Sequence, residues 1–480
     1  MFPTFQFNSN PFADIATADH MKGVDVRATF VSGYPGPARD CSGPKLIPLQ
    51  TRAINEHNLI PEFVVAEGGE RPEGWEAEDP EYEMKVDTAI YLAKDIPNDN
   101  RSPWTDQIVP IEFIRDDIAS DPFEEAEASL NISIETRKKA RGQITFYAEF
   151  IFAVQQRIAL FMFVVIGTKI RFVRWDRSAM VVTRAFNYVE NWRFLCEILW
   201  RLSKCSMTQL GLDPTATRLR PEDDDYRLMD TVSLPHSSDA DDTERELMPG
   251  ELPADGKFVF KYVREMFAKS VTATWPRYRV EVPHDDSMRT FLIAKPSFRA
   301  RGMVGRGTRG YVAVDCESGA FMWLKDAWRA HCILADPEGN ALRKLNDAEI
   351  INVPTLICHG DIGDQVTLTP DWWEVKNTST AHPSSSTQRD KLPTPSLSTS
   401  SPLLSIHVRS HNLKRKRGDE RSTDKGPVHR ADLREECPLR RHKHYRLVVK
   451  EVARPLTDFK NGCQLISLVS DCVYGEYLTA

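Results

Sequence analysis

The sequence predicts an α+β protein with two ordered blocks, and three observations carry that reading. Apolar runs of strand length alternate with amphipathic stretches at helical spacing over residues 84–204 and again over 257–375. Between them, residues 221–256 hold 12 acidic and 2 basic residues, too polar a segment to form a core. Later, 14 of the 24 residues at 381–404 are Ser, Thr or Pro, which cannot bury enough apolar surface to fold. The expected organisation is a largely irregular segment at 1–83, an α+β module at 84–204 and an acidic linker at 205–256. A second block follows at 257–375 and 445–480, interrupted by a disordered Ser/Thr/Pro-rich and basic insertion at 376–444.

Composition excludes several classes. A chain of 480 residues allows about three compact units, or two with inserts. A net charge of −7 argues against a nucleic-acid coat protein. With 41% hydrophobic and 27% charged residues, the chain reads as an intracellular protein, cytoplasmic or nuclear. Its nine cysteines are scattered without a C-x-x-C pair, against zinc ribbons and thioredoxin chemistry and in favour of reduced thiols. Residues 1–14 lack a basic stretch leading into an apolar run, so no secretory signal is expected. The longest apolar run, 158–167, is half the roughly 20 residues of a membrane span and reads as a buried strand.

In the first block, residues 88–93 and 108–113 are β-branched and aromatic enough for strands. Over 133–157, Ile144, Tyr147, Ile151 and Val154 fall on one helix face. Residues 158–166, 170–175 and 180–183 then form a three-strand pattern around the turn Gly167-Thr168-Lys169. A second helix at 191–202 carries Trp192, Leu195, Leu199 and Leu202 on one side. In the second block a short helix is expected at 257–267 and strands at 277–282 and 290–294.

The chemistry-bearing pattern is Gly305-Arg306-Gly307-Thr308-Arg309-Gly310-Tyr311-Val312, a G-x-G-x-x-G-x-V. With 24 glycines in the chain, three fixed glycines arise by chance about 6% of the time, so context decides. A dinucleotide-binding fold needs a helix after the glycines. Here Tyr311-Val312-Ala313-Val314 reads as a strand, 316–319 as a turn, and Phe321-Met322-Trp323-Leu324-Lys325 as a second strand. A glycine loop between strands, followed by a strand ending in lysine, is the protein-kinase arrangement. There the bare glycine backbone approaches the phosphates, the valine packs on the adenine ring, and the lysine pairs with the α- and β-phosphates. A buried lysine there needs a carboxylate partner to hold its charge and position. Glu338 stands four and seven residues before Leu342 and Leu345 on one helix face, where the kinase C helix carries its glutamate. Residues 353–358 and 445–452 fit the next strands, the latter leading into the hinge.

The chain resembles the fungal-type protein kinase family. The resemblance rests on Arg141-Gly142-Gln143-Ile144, on Ile170-Arg171-Phe172-Val173-Arg174-Trp175-Asp176-Arg177-Ser178, and on 304–312 with Lys325. Residues 352–361 and 445–456 extend it, over roughly 84–470 in all. It implies a kinase-like N-lobe, an antiparallel sheet plus C helix, preceded by its own α+β module. It also implies ATP-dependent transfer to protein Ser/Thr, with ATP and Mg as cofactors and an unidentified protein partner. Gly305, Gly307, Gly310, Val312, Lys325 and Glu338 would be the nucleotide-binding residues. No catalytic or metal-binding residue is assigned. The aspartates and asparagine that accept the proton and hold magnesium belong after the hinge, and Ala480 comes about 30 residues past it. The expectation is therefore a protein truncated before its catalytic loop and inactive as written. The alternatives are a non-catalytic scaffold or pseudokinase, and a degenerate gene product.

Five further features carry their own readings. His429-Arg430-Ala431-Asp432-Leu433 and Asp458-Phe459-Lys460 resemble catalytic motifs but lie in the insertion and directly after the hinge, and no role is expected of either. Lys414-Arg415-Lys416-Arg417 is a nuclear-import signal, a solvated basic loop or a weak phosphate-backbone patch. Asp87 and Glu112 resemble the carboxylates of a restriction-endonuclease-like core, but Ile114 stands where E-x-K needs its lysine. Asp176 is expected to form a structural ion pair.

Overall fold

The computed structural model describes residues 51, 54–67, 87–96, 104–114, 121–123, 131–188, 190–241, 259–331, 336–372 and 439–477, with backbone alone at 131–136 and 473–477. The first block is built on strands β1 (Phe63–Glu67), β2 (Thr88–Leu92) and β3 (Val109–Ile114), helix α1 (Asn131–Val154), strands β4 (Leu160–Ile166), β5 (Lys169–Trp175), β6 (Met180–Val182) and β7 (Phe186–Asn187), and helix α2 (Trp192–Ser203). The sheet runs β1-β2-β3-β4-β5-β6, with β7 also on β5. All its pairs are antiparallel except β3 with β4, which run parallel. A parallel pair needs a long crossover, and α1 supplies it.

The apolar run of β4 follows from burial on both faces. Met162, Val164 and Ile166 pack under Ile144, Tyr147, Ile151 and Val154 of α1. Phe163 and Val165 pack under Leu195, Leu199 and Leu202 of α2. Composition placed the start of order near residue 84, but β1 lies earlier. Its Phe63-Val64-Val65-Ala66 is a short β-branched run, and it pairs with β2 in full register.

The second block contains β8 (Ala216–Arg218), helices α3 (Asp224–Ser233) and α4 (Lys261–Ser270), strands β9 (Tyr278–His284), β10 (Ser287–Ile293), β11 (Phe298–Arg299), β12 (Arg309–Asp315) and β13 (Phe321–Ala330), helix α5 (Glu338–Asp347), strands β14 (Leu356–Val366) and β15 (His442–Val449), and helix α6 (Gly462–Tyr477). Its sheet is antiparallel in the order β14-β15-β13-β12-β10-β9-β8, with β11 on β12. Together with α5 it makes the expected antiparallel sheet plus helix; β8 and the first residues of β15 lie outside the expected bounds of 257–375 and 445–480. Helix α3 lies inside the stretch that composition marks as an acidic linker. Its aspartates mask a short apolar face whose Met229 is fully buried. Residues 376–438 of the insertion lie outside the described residues, and with them Lys414–Arg417 and the whole 429–433 motif.

Cross-strand register sorts β12 and β13 into two faces. Arg309 faces Asp326 and Tyr311 faces Leu324, while Gly310 faces Lys325 and Val312 faces Trp323. The Tyr311 face packs with Val280, Val282, Phe291 and Val448. The Val312 face packs with α3 and α4, and further along the sheet Leu447 and Val449 meet Leu342 of α5.

The blocks join through buried charge. The Arg309 guanidinium donates to the carbonyls of Phe152 and Gln155, both at 3.1 Å, and to Asp326 at 3.0 Å. Arg446 donates to Asp326 at 2.9 Å and to Asp213 at 2.5 Å. His444 completes the cluster against Asp326 at 3.0 Å, its ring stacked on Trp328. A second joint centres on Asp176, which is fully buried. It pairs with Arg174 at 3.0 Å and accepts the Ser178 N–H at 2.9 Å. It also accepts the N–H groups of Leu368 and Thr369, both at 3.0 Å.

Candidate nucleotide site

Strand β13 carries Lys325 on the same face as Val312, and α5 opens on Glu338. The Lys325 ammonium lies 2.5 Å from a Glu338 carboxylate oxygen, with the two side chains 25% and 43% exposed. The pair is therefore partly open to solvent rather than part of the core. The start of α5 is held from below: the Gly339 N–H donates to the Tyr445 hydroxyl at 2.8 Å, which lies 3.1 Å from His359 Nδ1. Burial pushes the Tyr445 phenol up to about 12, so it stays a neutral anchor.

The glycines divide by role. Gly310 lies across from Lys325, and a Cβ there would come within 2.3 Å of the Trp323 ring, so only glycine lets that ring lie over the strand. Gly305 and Gly307 point to the first block. The Gly305 N–H donates to the Arg177 carbonyl at 2.8 Å, and the Arg177 guanidinium donates to the Met303 carbonyl at 3.1 Å. Gly307 sits at φ +48°, with the Arg177 guanidinium where a side chain would be. Burial is the main force lowering Arg177 to about 10, with the Arg309 charge adding to it.

Val312 is buried rather than open. It clusters with Trp323, Val452, and Val263 and Phe267 of α4. Trp323 stands two residues before the lysine, where the V-A-I-K pattern places alanine. The Tyr262 hydroxyl donates to the Val452 carbonyl at 2.6 Å, on the segment that follows β15. The structure thus brings Gly310, Val312, Lys325 and Glu338 to one face and ties Gly305 and Gly307 to Arg177. The Lys325–Glu338 end of that face is partly open to solvent, and the Val312 end is covered by Trp323 and α4.

The sequence profile of the family described as "Fungal protein kinase" matches residues 125–248 and 259–477. The chain belongs to that family. No curated protein and no solved structure matches it. The match takes in α1, β4 to β7 and α2 as well as the lobe. The kinase family pattern therefore includes the Asp176-Arg177-Ser178 corner that clasps the lobe.

Asp176 forms the expected ion pair, with Arg174; what sequence reasoning missed is the tie of Arg177 to the glycine segment and the Arg309–Asp326–Arg446 cluster. Arg309, Asp326 and Arg446 are charged residues inside strands, a signal that was present but points to no partner until strands are paired. Burial pushes Asp326 up, but Arg309, His444 and Arg446 outweigh it and hold the carboxyl well below the usual range. Asp213 is likewise pushed up by burial and drawn down to about 2, chiefly by Arg446 and His444. Asp458 and Phe459 lie on the surface after the last strand. Among the described residues no group of three or more His, Cys, Asp and Glu could hold a metal ion, and no helix is long and apolar enough to cross a membrane.

Asp87 and Glu112 do lie together. Asp87 accepts the Phe113 N–H at 2.8 Å, and Gln143 donates to Glu112 at 3.0 Å. Burial first, and the Asp87 charge second, raise Glu112 well above the ordinary carboxylate range. A raised acid favours the folded state below its unfolded value, and that contribution is lost as pH rises through the folded value. Glu112→Gln is therefore expected to raise the urea midpoint at pH 8 and to leave it nearly unchanged at pH 4. Equal midpoints for the variant and the parent at pH 8 would show that Glu112 is not held protonated.

Proposed function

We propose that this member of the fungal protein kinase family binds ATP through Lys325 and Glu338, and that its 480 residues do not themselves transfer phosphate. The observation that carries the reading is the 2.5 Å Lys325–Glu338 ion pair between β13 and α5, beside Gly310. In kinase chemistry that lysine holds the α- and β-phosphates, and the glutamate sets its position. ATP-dependent transfer to protein Ser/Thr is the family chemistry. It needs a hydroxyl-accepting aspartate and magnesium-holding Asp and Asn side chains, and no residue of this sequence is assigned to those roles.

The test is incubation of the 480-residue chain with γ-labelled ATP, magnesium and a general protein substrate, beside Lys325→Ala. The expected result is no label above the Lys325→Ala background. Label that disappears in Lys325→Ala would show that these residues hold a complete catalytic centre.

A second reading, a non-catalytic scaffold of pseudokinase type, is favoured by the filling of the Val312 face with Trp323 and α4. It differs in one measurable way: a scaffold needs no nucleotide, so its association with ATP would be absent or independent of Lys325.

A further inference from the structure

We propose that helix α4 is the built-in occupant of the base-binding side of this lobe, and that a nucleotide enters only when α4 withdraws. The inference rests on the ATP-site reading above and concerns how that site is controlled.

A purine base needs two things from such a lobe: apolar surface on its ring faces, and a backbone acceptor for its exocyclic amine. Both are present here and both are taken. The apolar surface is Val312 and Trp323, and α4 lays Val263 and Phe267 in the same cluster. Phe267 and Val312 are fully buried, at 0% and 1% exposure. The backbone acceptor is the Val452 carbonyl just beyond β15, which receives the Tyr262 hydroxyl at 2.6 Å. The Arg454 guanidinium, two residues on, stacks over the Tyr262 ring at 4.7 Å. Tyr262 thus reproduces, with a ring and a donor, the contacts a base would make.

The phosphate side is different. Lys325 and Glu338 stay partly exposed, and among the described residues no side chain of α4 hydrogen-bonds or ion-pairs with them. The helix blocks the base without disarming the lysine, as expected of a cover over a working site rather than of a site lost to repacking.

The cover is tied back to the preceding segment. Arg264 donates to Asp239 at 2.6 and 2.8 Å and to the Val232 carbonyl at 2.6 Å, and Lys261 pairs with Asp241 at 2.8 Å. These ties link α4 to the end of α3 and the acidic residues after it. Tyr262 is the one α4 residue with a side-chain hydrogen bond to the Val452 segment among those described.

The experiment compares MgATP binding by the full 480-residue chain, by Tyr262→Phe and by Tyr262→Phe with Lys325→Ala, and reads amide exchange over 261–270 with and without saturating MgATP. Tyr262→Phe keeps the ring and the packing and removes only the donor. It is expected to bind MgATP about fivefold tighter than the parent, with the gain lost in the Lys325→Ala background. MgATP is expected to speed exchange in 261–270. Lys325-dependent binding of equal strength in parent and Tyr262→Phe, with exchange in 261–270 unchanged, would overturn the cover and leave the ATP site standing. Absence of binding in the parent and in Tyr262→Phe alike would overturn the ATP-site reading, and the cover with it.

Discussion

Asp326→Asn is expected to destabilise the protein by about 3–5 kcal/mol, the usual cost of removing one partner from a buried ion cluster. Asp326 is fully buried and serves Arg309, Arg446 and His444 together. Asparagine has the same shape but no charge, so it leaves two buried guanidinium groups with less compensation than they need. Arg446 keeps Asp213, but Arg309 keeps only neutral acceptors from the first block. The pH dependence gives a second signature. A carboxyl held low contributes stability above its unfolded value, near 4, and loses it as pH falls through the folded value. The gap between parent and variant should therefore be constant above about pH 5 and begin to narrow as pH falls below about 4. Urea unfolding at pH 7 and pH 3.5 checks both points. A loss under about 1 kcal/mol at pH 7 would mean the cluster is solvated and does not join the blocks.

Asp176→Ala is expected to cost a similar amount, about 3–5 kcal/mol, for another reason. Asp176 gathers donors from two distant parts of the chain. It accepts the Ser178 N–H, the Leu368 and Thr369 N–H groups and the Thr369 hydroxyl at 2.8–3.0 Å. Alanine leaves those donors and the Arg174 guanidinium without their acceptor in a site closed to water. Neighbouring Ser178 adds bonds to Thr367 and to the Arg440 carbonyl, both at 2.6 Å, so the same corner also fixes the start of β15. Hydrogen exchange gives the local readout: the Leu368 and Thr369 amides should exchange much faster in the variant. A midpoint within about 0.5 kcal/mol of the parent would place Asp176 among dispensable surface ion pairs.

How much of this was legible in the sequence depends on whether the cause was local. The β4 run and the α1 spacing are read from neighbouring residues, and both elements stand where periodicity put them. The same holds for β12, the turn after it and β13, because strand chemistry and glycine position are local signals. Lys325 and Glu338 were paired from their places on a strand and a helix, and they lie within hydrogen-bonding distance. The rest depends on contacts that no local pattern encodes. Arg177 looks like one basic residue in a loop until β5 and the glycine segment meet, 125 and more residues apart. Tyr262 lies 190 residues from the carbonyl it occupies. Helix α3 was hidden by composition, since its acidic face outweighs a short apolar one in any average along the chain.

Equilibrium dialysis of the full 480-residue chain against MgATP, beside Lys325→Ala, tests the family nucleotide site most directly. Saturable binding that weakens tenfold or more in Lys325→Ala is the predicted result, since a charge-assisted contact to phosphate is worth about 1.5–3 kcal/mol. Binding of equal strength in the two proteins would contradict a nucleotide site built on the Lys325–Glu338 pair.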